Sequence, residues 1–157
     1  MKRLVLEYKG VETVSNPFSM GVYRIMYDAL DGAETLTEAA LDAAALEGVA
    51  AMFDGTAITR DALRAGGGID GDAIFLACVK TLAWYRGVNA RGGEALPSAL
   101  QEGNPIHALY KAFIPHKLPG ELDKEDPQLL FDVLAAETRP SASADDIPDD
   151  LKVFYGL

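Results

Sequence analysis

The apolar positions at the start of the chain follow no helical period. Leu4, Val5, Leu6 and Tyr8 form one short run and Val11 and Val14 another, with Lys9-Gly10 between them and Ser15-Asn16-Pro17 after them. Two β-prone runs about a glycine-containing turn predict a β-hairpin, although the turn is not the favoured Asn-Gly.

From residue 15 the spacing changes to that of helices. Ser15 or Asn16 ahead of Pro17 reads as a helix start, because the polar side chain accepts an orphan N–H and proline has none to lose. Phe18, Val22, Ile25, Met26 and Leu30 then recur at helical intervals up to Asp31-Gly32. A second helix is expected after Thr35 or Thr37, with Leu41, Ala45, Val49, Met52 and Phe53 on one face and Asp54-Gly55 as its stop. Its many alanines predict close helix packing rather than a bulky core. Thr59 opens one or two helical turns that end at Gly66-Gly67-Gly68. Asp70 or Asp72 then starts the strongest helical stripe, Ile74, Phe75, Cys78, Val79, Leu82 and Tyr85, with Gly87 as the stop and residues 88–103 as a connection. Asn104-Pro105 opens a helix carrying Ile106, Leu109, Tyr110 and Phe113 that stops near Pro115, and Asp126-Pro127 opens another carrying Leu129, Leu130, Val133 and Leu134.

The expectation is a mainly α protein: a helical domain of about five helices over residues 1–137 with an N-terminal β-hairpin. An acidic, partly flexible tail, residues 138–157, follows. The tail is too poor in large apolar residues to offset its ordering entropy, yet it ends in Val153-Phe154-Tyr155-Gly156-Leu157.

Charge narrows the function classes. The 157 residues carry a net charge of −10, which argues against a phosphate-binding basic stripe for nucleic acid and against docking on an anionic membrane. Ten acidic and two basic residues between Glu121 and Asp150 hold −8 of that balance; the remaining chain is nearly neutral at −2. A single cysteine cannot form an internal disulfide, which favours a reducing cytoplasm. Leu4-Val5-Leu6 after Met1-Lys2-Arg3 is too short for a signal-peptide core, and no apolar run approaches the roughly 18 residues of a membrane span.

Candidate chemistry is sparse. There is no Gly-x-Ser-x-Gly elbow, no paired histidines on a helix and no Gly-Lys-Ser/Thr phosphate loop. Gly66-Gly67-Gly68-Ile69-Asp70-Gly71 is the nearest approach to a phosphate cradle, but Asp70 and Asp72 would repel a phosphate there, and an inter-helix connection is the better reading. A cation site at those aspartates lacks the alternating ligands of a calcium loop. His107 and His116 have no ligand spacing around them, so neither a metal site nor a cofactor is expected, and Cys78 reads as a small buried hydrophobe. Trp84-Tyr85-Arg86 is either an interface anchor or the cap of a small helical core.

Two segments carry a family resemblance. Val49-Ala50-Ala51-Met52-Phe53-Asp54-Gly55, then Ala57-Ile58-Thr59-Arg60-Asp61-Ala62-Leu63 and a glycine break into a long helix, resembles the tail assembly chaperones of long-tailed bacteriophages. Ile106 to Lys111, Leu118-Pro119-Gly120-Glu121-Leu122 and Gln128 to Leu134 are similar to the short helix, turn and acidic helix towards the C-terminal end of some such proteins. The glycine run and the 88–103 connection depart from that pattern. The resemblance implies a non-enzymatic protein in the cytoplasm of a bacterial host that binds the phage tape-measure protein and assists tail-tube protein assembly. Phe53, Trp84, Tyr85, Tyr110 and Phe113 are the candidate partner contacts, and a homo-oligomer stays open. The rival class is a small acidic inhibitor that mimics nucleic acid against a host defence or nucleic-acid enzyme.

Overall fold

A computed structural model of the chain describes residues 2–30, 36–95, 104–113 and 115–137. Among them lie a two-stranded sheet and seven helices: β1 (Val5–Tyr8), β2 (Val11–Val14), α1 (Met20–Leu30), α2 (Glu38–Met52), α3 (Arg60–Ala65), α4 (Gly71–Ala95), α5 (Pro105–Phe113), α6 (Pro119–Leu122) and α7 (Pro127–Glu137). The fold is therefore mainly α with an N-terminal hairpin, as the periodicity predicts, and two of the helices, α3 and α6, are only six and four residues long. The expected stop at Asp31-Gly32 and the tail from residue 138 lie outside the described residues. The chain divides into two compact units, Met1–Gly87 and Val88–Leu157, with the boundary inside α4.

In the first unit the hairpin pairs antiparallel in the register Val5 with Val14, Leu6 with Thr13, Glu7 with Glu12 and Tyr8 with Val11. Both turn residues are left-handed, Lys9 at φ 50° and Gly10 at φ 80°, the backbone of a tight two-residue hairpin turn. A non-glycine residue in that region is costly, and Lys9 is held there by one bond outside the hairpin and one contact within it. Its N–H donates to the Gly68 carbonyl at 2.9 Å, and its ammonium lies 5.0 Å from the centre of the Tyr8 ring. The glycine run after α3 is thus the seat of the hairpin tip. A Cβ on Gly68 would stand 3.0 Å from Lys9 Cγ and 3.3 Å from Tyr8 Cε2, at a backbone φ of +81°.

Ser15 and Asn16 do not open α1, contrary to the cap-and-proline reading. The first helical bond runs from the Tyr23 N–H to the Ser19 carbonyl. Ser15 is buried; its hydroxyl accepts from the Leu4 N–H at 2.9 Å and donates to the Asn16 carbonyl at 2.7 Å. Asn16 instead closes the end of α2, its backbone N–H donating to Met52 O at 2.8 Å and its side-chain amide to Asp54 O at 3.0 Å. Tertiary partners outcompeted the local helix start because the last carbonyls of α2 would otherwise be left without donors.

Thr37 and Thr59 do cap as expected, accepting from Ala40 N and Ala62 N at 3.2 Å. The two long helices of this unit's centre, α1 and α2, pack on one another. Gly48 of α2 allows that approach: a Cβ there would lie 2.6 Å from Met26 Sδ on α1 and 3.0 Å from Thr81 Cγ2 on α4. Met26 and Thr81 are fully buried, and the Thr81 hydroxyl donates back to the Ala77 carbonyl at 2.8 Å.

The helix α4 differs from expectation in two respects. It continues through Gly87, and through Gly92 and Gly93 as well, to Ala95; a helix-interior glycine costs only about 1 kcal/mol against alanine and does not by itself end a helix. Its buried side is Ala77, Thr81 and Tyr85; of the expected apolar stripe Tyr85 is buried, Ile74, Cys78 and Leu82 are half-buried, and Phe75 and Val79 face outward, as does Leu76 beside them. Thr81 is the point at which the helix comes close to Gly48 of α2.

In the second unit α5 packs against α6 and α7 around Ile106, Leu109, Phe113, Leu122, Leu130, Phe131, Val133 and Leu134. Asn104 caps α5, accepting from Ile106 N at 2.9 Å, and Asp126 accepts from Gln128 N at 2.9 Å at the start of α7, both as the sequence predicts. No helix among the described residues is long and apolar enough to cross a membrane.

Candidate functional site

The corner between α2 and α3 borders a concave surface in the first unit. The helix ends at Phe53, whose N–H is shared between the Val49 and Ala50 carbonyls at 3.2 Å, and Gly55 at φ +76° reverses the chain. Thr56 locks the reversal. Its N–H and its hydroxyl both donate to the Phe53 carbonyl, at 3.0 and 2.7 Å, and its oxygen accepts from Ile58 N at 3.1 Å. Thr59 then starts α3, which Glu47 ties back to α2 by accepting from Arg60 and, at 3.0 Å, from Arg64. Both arginines are more than half exposed, so each pair contributes about 0.2–1 kcal/mol and serves mainly to set the angle of the corner.

Beside this corner opens a cleft of about 440 Å³. Its apolar walls are Ile25 of α1 with Ala50, Ala51 and Ile58, and its rim carries Glu47, Asp54, Thr59 and Arg60. The methyl groups of Ala50 and Ala51 and the bare backbone of Gly55 leave the space that larger residues would fill. The lining includes no histidine, cysteine or lysine, and the Thr56 and Thr59 hydroxyls already serve local backbone bonds. An apolar floor with a mixed-charge rim suits the edge of an apolar helix or a single large apolar side chain.

Of the five sequence candidates for partner contact only Phe53 borders this cleft. Phe53 touches the cleft but is itself buried beneath the turn, and Tyr85, Tyr110 and Phe113 are buried too. Tyr85 stacks at 5.2 Å on Tyr23, whose hydroxyl is pushed well above its ordinary pKa by burial, with Tyr85 and Tyr27 adding to the effect. Trp84 is half-buried, edge-on to Phe18 at 5.8 Å. Tyr110 donates its hydroxyl to the Asp123 carboxylate within the second unit.

Cys78 is only half-buried, not a fully enclosed hydrophobe. Burial, and then the Asp42 carboxylate, push its thiol above the ordinary value, which keeps it protonated and weakly nucleophilic. His107 and His116 are exposed, and among the described residues no three His, Cys, Asp or Glu side chains are gathered as a metal site would need. Asp70 and Asp72 mark the start of α4, the Asp70 carbonyl accepting from Ile74 N at 3.1 Å. Sequence reasoning did not find Glu47, Arg60, Arg64 and Ile25 as one constellation, because the two arginines sit four residues apart on α3 while the acid and Ile25 lie on other helices, which leaves no linear signal. No protein-family model, curated protein or solved structure matches the chain.

Proposed function

We propose that the chain is a non-enzymatic binding protein of the phage tail assembly chaperone kind, acting in the bacterial cytoplasm on the tape-measure protein and assisting assembly of the tail-tube protein. One observation supports this reading. Residues 49–63, which carry the resemblance, form the helix end, locked turn and short helix that wall an open apolar cleft. A tape-measure protein is a long helical client, and before assembly its apolar edges need a shallow, polar-rimmed seat of this kind. The net charge of −10 keeps such a complex soluble.

The acidic-mimic reading draws no comparable support. Four described carboxylates of the second unit serve internal bonds: Glu121 accepts from Leu118 N, Asp123 from Tyr110, Glu125 from Lys117 and Asp126 from Gln128 N. The test is co-expression with the tape-measure protein, using the wild-type chain and Ile25→Asp. Ile25 is already partly exposed, so the aspartate leaves the core intact and places a charge on the cleft wall. Binding by the wild type and its loss in the variant is the expected result; equal binding by both moves the client off this cleft.

A further inference from the structure

The outward side of α4 is an apolar strip with oppositely charged ends. Phe75, Leu76 and Val79 are 68, 52 and 46% exposed, the exposed Ala83 continues the strip, and the exposed Asp72 and Arg86 stand at its two ends. At 100° per residue these six positions fall within a narrow arc on the side of the helix opposite the buried Ala77, Thr81 and Tyr85. A stripe with period alternating between three and four along Asp72, Leu76, Val79, Ala83 and Arg86 is the pattern of a helix-pairing seam.

The order of residues in the strip selects its occupant. Asp72 lies as far before Val79 as Arg86 lies after it. If two copies of the helix meet antiparallel with Val79 on the two-fold axis, Asp72 of each comes level with Arg86 of the other. Phe75 then comes level with the small Ala83, and Leu76 with Leu82. A parallel pairing would instead oppose Asp72 to Asp72, Arg86 to Arg86 and Phe75 to Phe75, with like charges at both ends. We propose that the α4 face from Asp72 to Arg86 is an isologous homodimer interface, two copies pairing antiparallel about Val79 with reciprocal Asp72–Arg86 ion pairs. The interface is independent of the cleft and of its client.

One helix pair buries less than the about 1,200 Å² of a standard interface, so dissociation on the order of 10–100 µM is expected. Sedimentation velocity on the full chain, over a concentration series reaching on the order of 500 µM, should show the mass double. Phe75→Ser, on an exposed position, should weaken association at least about tenfold. Asp72→Arg and Arg86→Asp should each weaken it about fivefold, and the double swap should restore it to within about threefold of wild type.

A covalent readout does not depend on those variants. Paired helices with axes about 8–10 Å apart bring facing Cα atoms to about 3.4–5.4 Å, within reach of a disulfide at the two-fold position. Val79→Cys in a Cys78→Ala background should therefore crosslink to itself on mild oxidation, and the exposed Ala57→Cys control should not. A chain that stays monomeric throughout the series, a dimer indifferent to Phe75→Ser and to the charge swap, or Val79→Cys no more reactive than the control would each overturn the proposal. A monomer whose client binding is lost in Phe75→Ser would overturn it as well and assign the strip to the client.

Discussion

The junction of α1, α2 and α4 at Gly48 makes the sharpest stability prediction. Adding one methyl group, Gly48→Ala, has two opposed effects. Alanine in a helix interior is favoured over glycine by about 1 kcal/mol. Against this, the new Cβ would stand 2.6 Å from Met26 Sδ, 2.8 Å from Met26 Cγ and 3.0 Å from Thr81 Cγ2. Those neighbours have little freedom to move. Met26 is fully buried, and Thr81 is fixed by its bond to the Ala77 carbonyl. Overpacking costs about 1–3 kcal/mol, and a 2.6 Å approach to such neighbours belongs to the upper part of that range, about 2–3, so the net loss after the propensity gain is about 1–2 kcal/mol. For a chain of this length that lowers the midpoint by roughly 2–6 °C.

The same geometry predicts a reversal. Met26→Ala alone should cost about 2–5 kcal/mol by opening a cavity, but in that background Gly48→Ala has room and should stabilise by about 1 kcal/mol. The coupling between the two positions is then about 2–3 kcal/mol, readable in thermal and urea unfolding followed by the helical circular dichroism signal. A Gly48→Ala protein more stable than wild type, or additive effects of the two changes, would refute the close approach of these helices.

Three further outcomes follow from the first unit. Gly68→Ala should cost about 1–3 kcal/mol and loosen the hairpin tip, seen as faster amide exchange at Lys9, because it combines a positive φ with a Cβ 3.0 Å from Lys9 Cγ. Glu12→Lys should stabilise the chain by about 0.2–1 kcal/mol in urea unfolding, since Glu7 and Glu12 are directly paired across the hairpin. The raised pKa of Tyr23 makes stability fall as pH rises above about 10, where the unfolded chain's tyrosine ionises and the folded one's does not. That loss should be smaller in Tyr23→Phe, and an absorbance titration should show one tyrosine ionising only with unfolding.

Local devices were the legible part of the sequence. The caps at Thr37, Thr59, Asn104 and Asp126, the prolines after two of them and the hairpin runs each announce themselves over a few residues, and each forms where the pattern places it. What linear reasoning missed depends on partners distant in the chain. Ser15 and Asn16 look like a helix start until the Met52 and Asp54 carbonyls are set beside them. The stripe of α4 names the correct helix and includes the buried Tyr85, but it does not show that the buried side turns towards Ala77 and Thr81, because apolar periodicity does not reveal that Thr81 meets Gly48 while Phe75 and Val79 face outward. Lys9-Gly10 and Gly66 to Gly68 are both readable as turns, yet their mutual contact, which explains both, is not. The candidate site was half legible: the 49–63 segment drew notice through its resemblance, but Ile25 and the Glu47, Arg60 and Arg64 cluster join it only in three dimensions.

The proposed hold on an apolar helical client during tail assembly can be probed by expressing the tape-measure protein alone and together with the chain. The tape-measure protein should then move into the soluble fraction and co-elute with the wild-type chain, and Ile25→Asp should abolish both effects while its own circular dichroism stays unchanged. A tape-measure protein equally insoluble with and without the chain, and no co-elution, would contradict it.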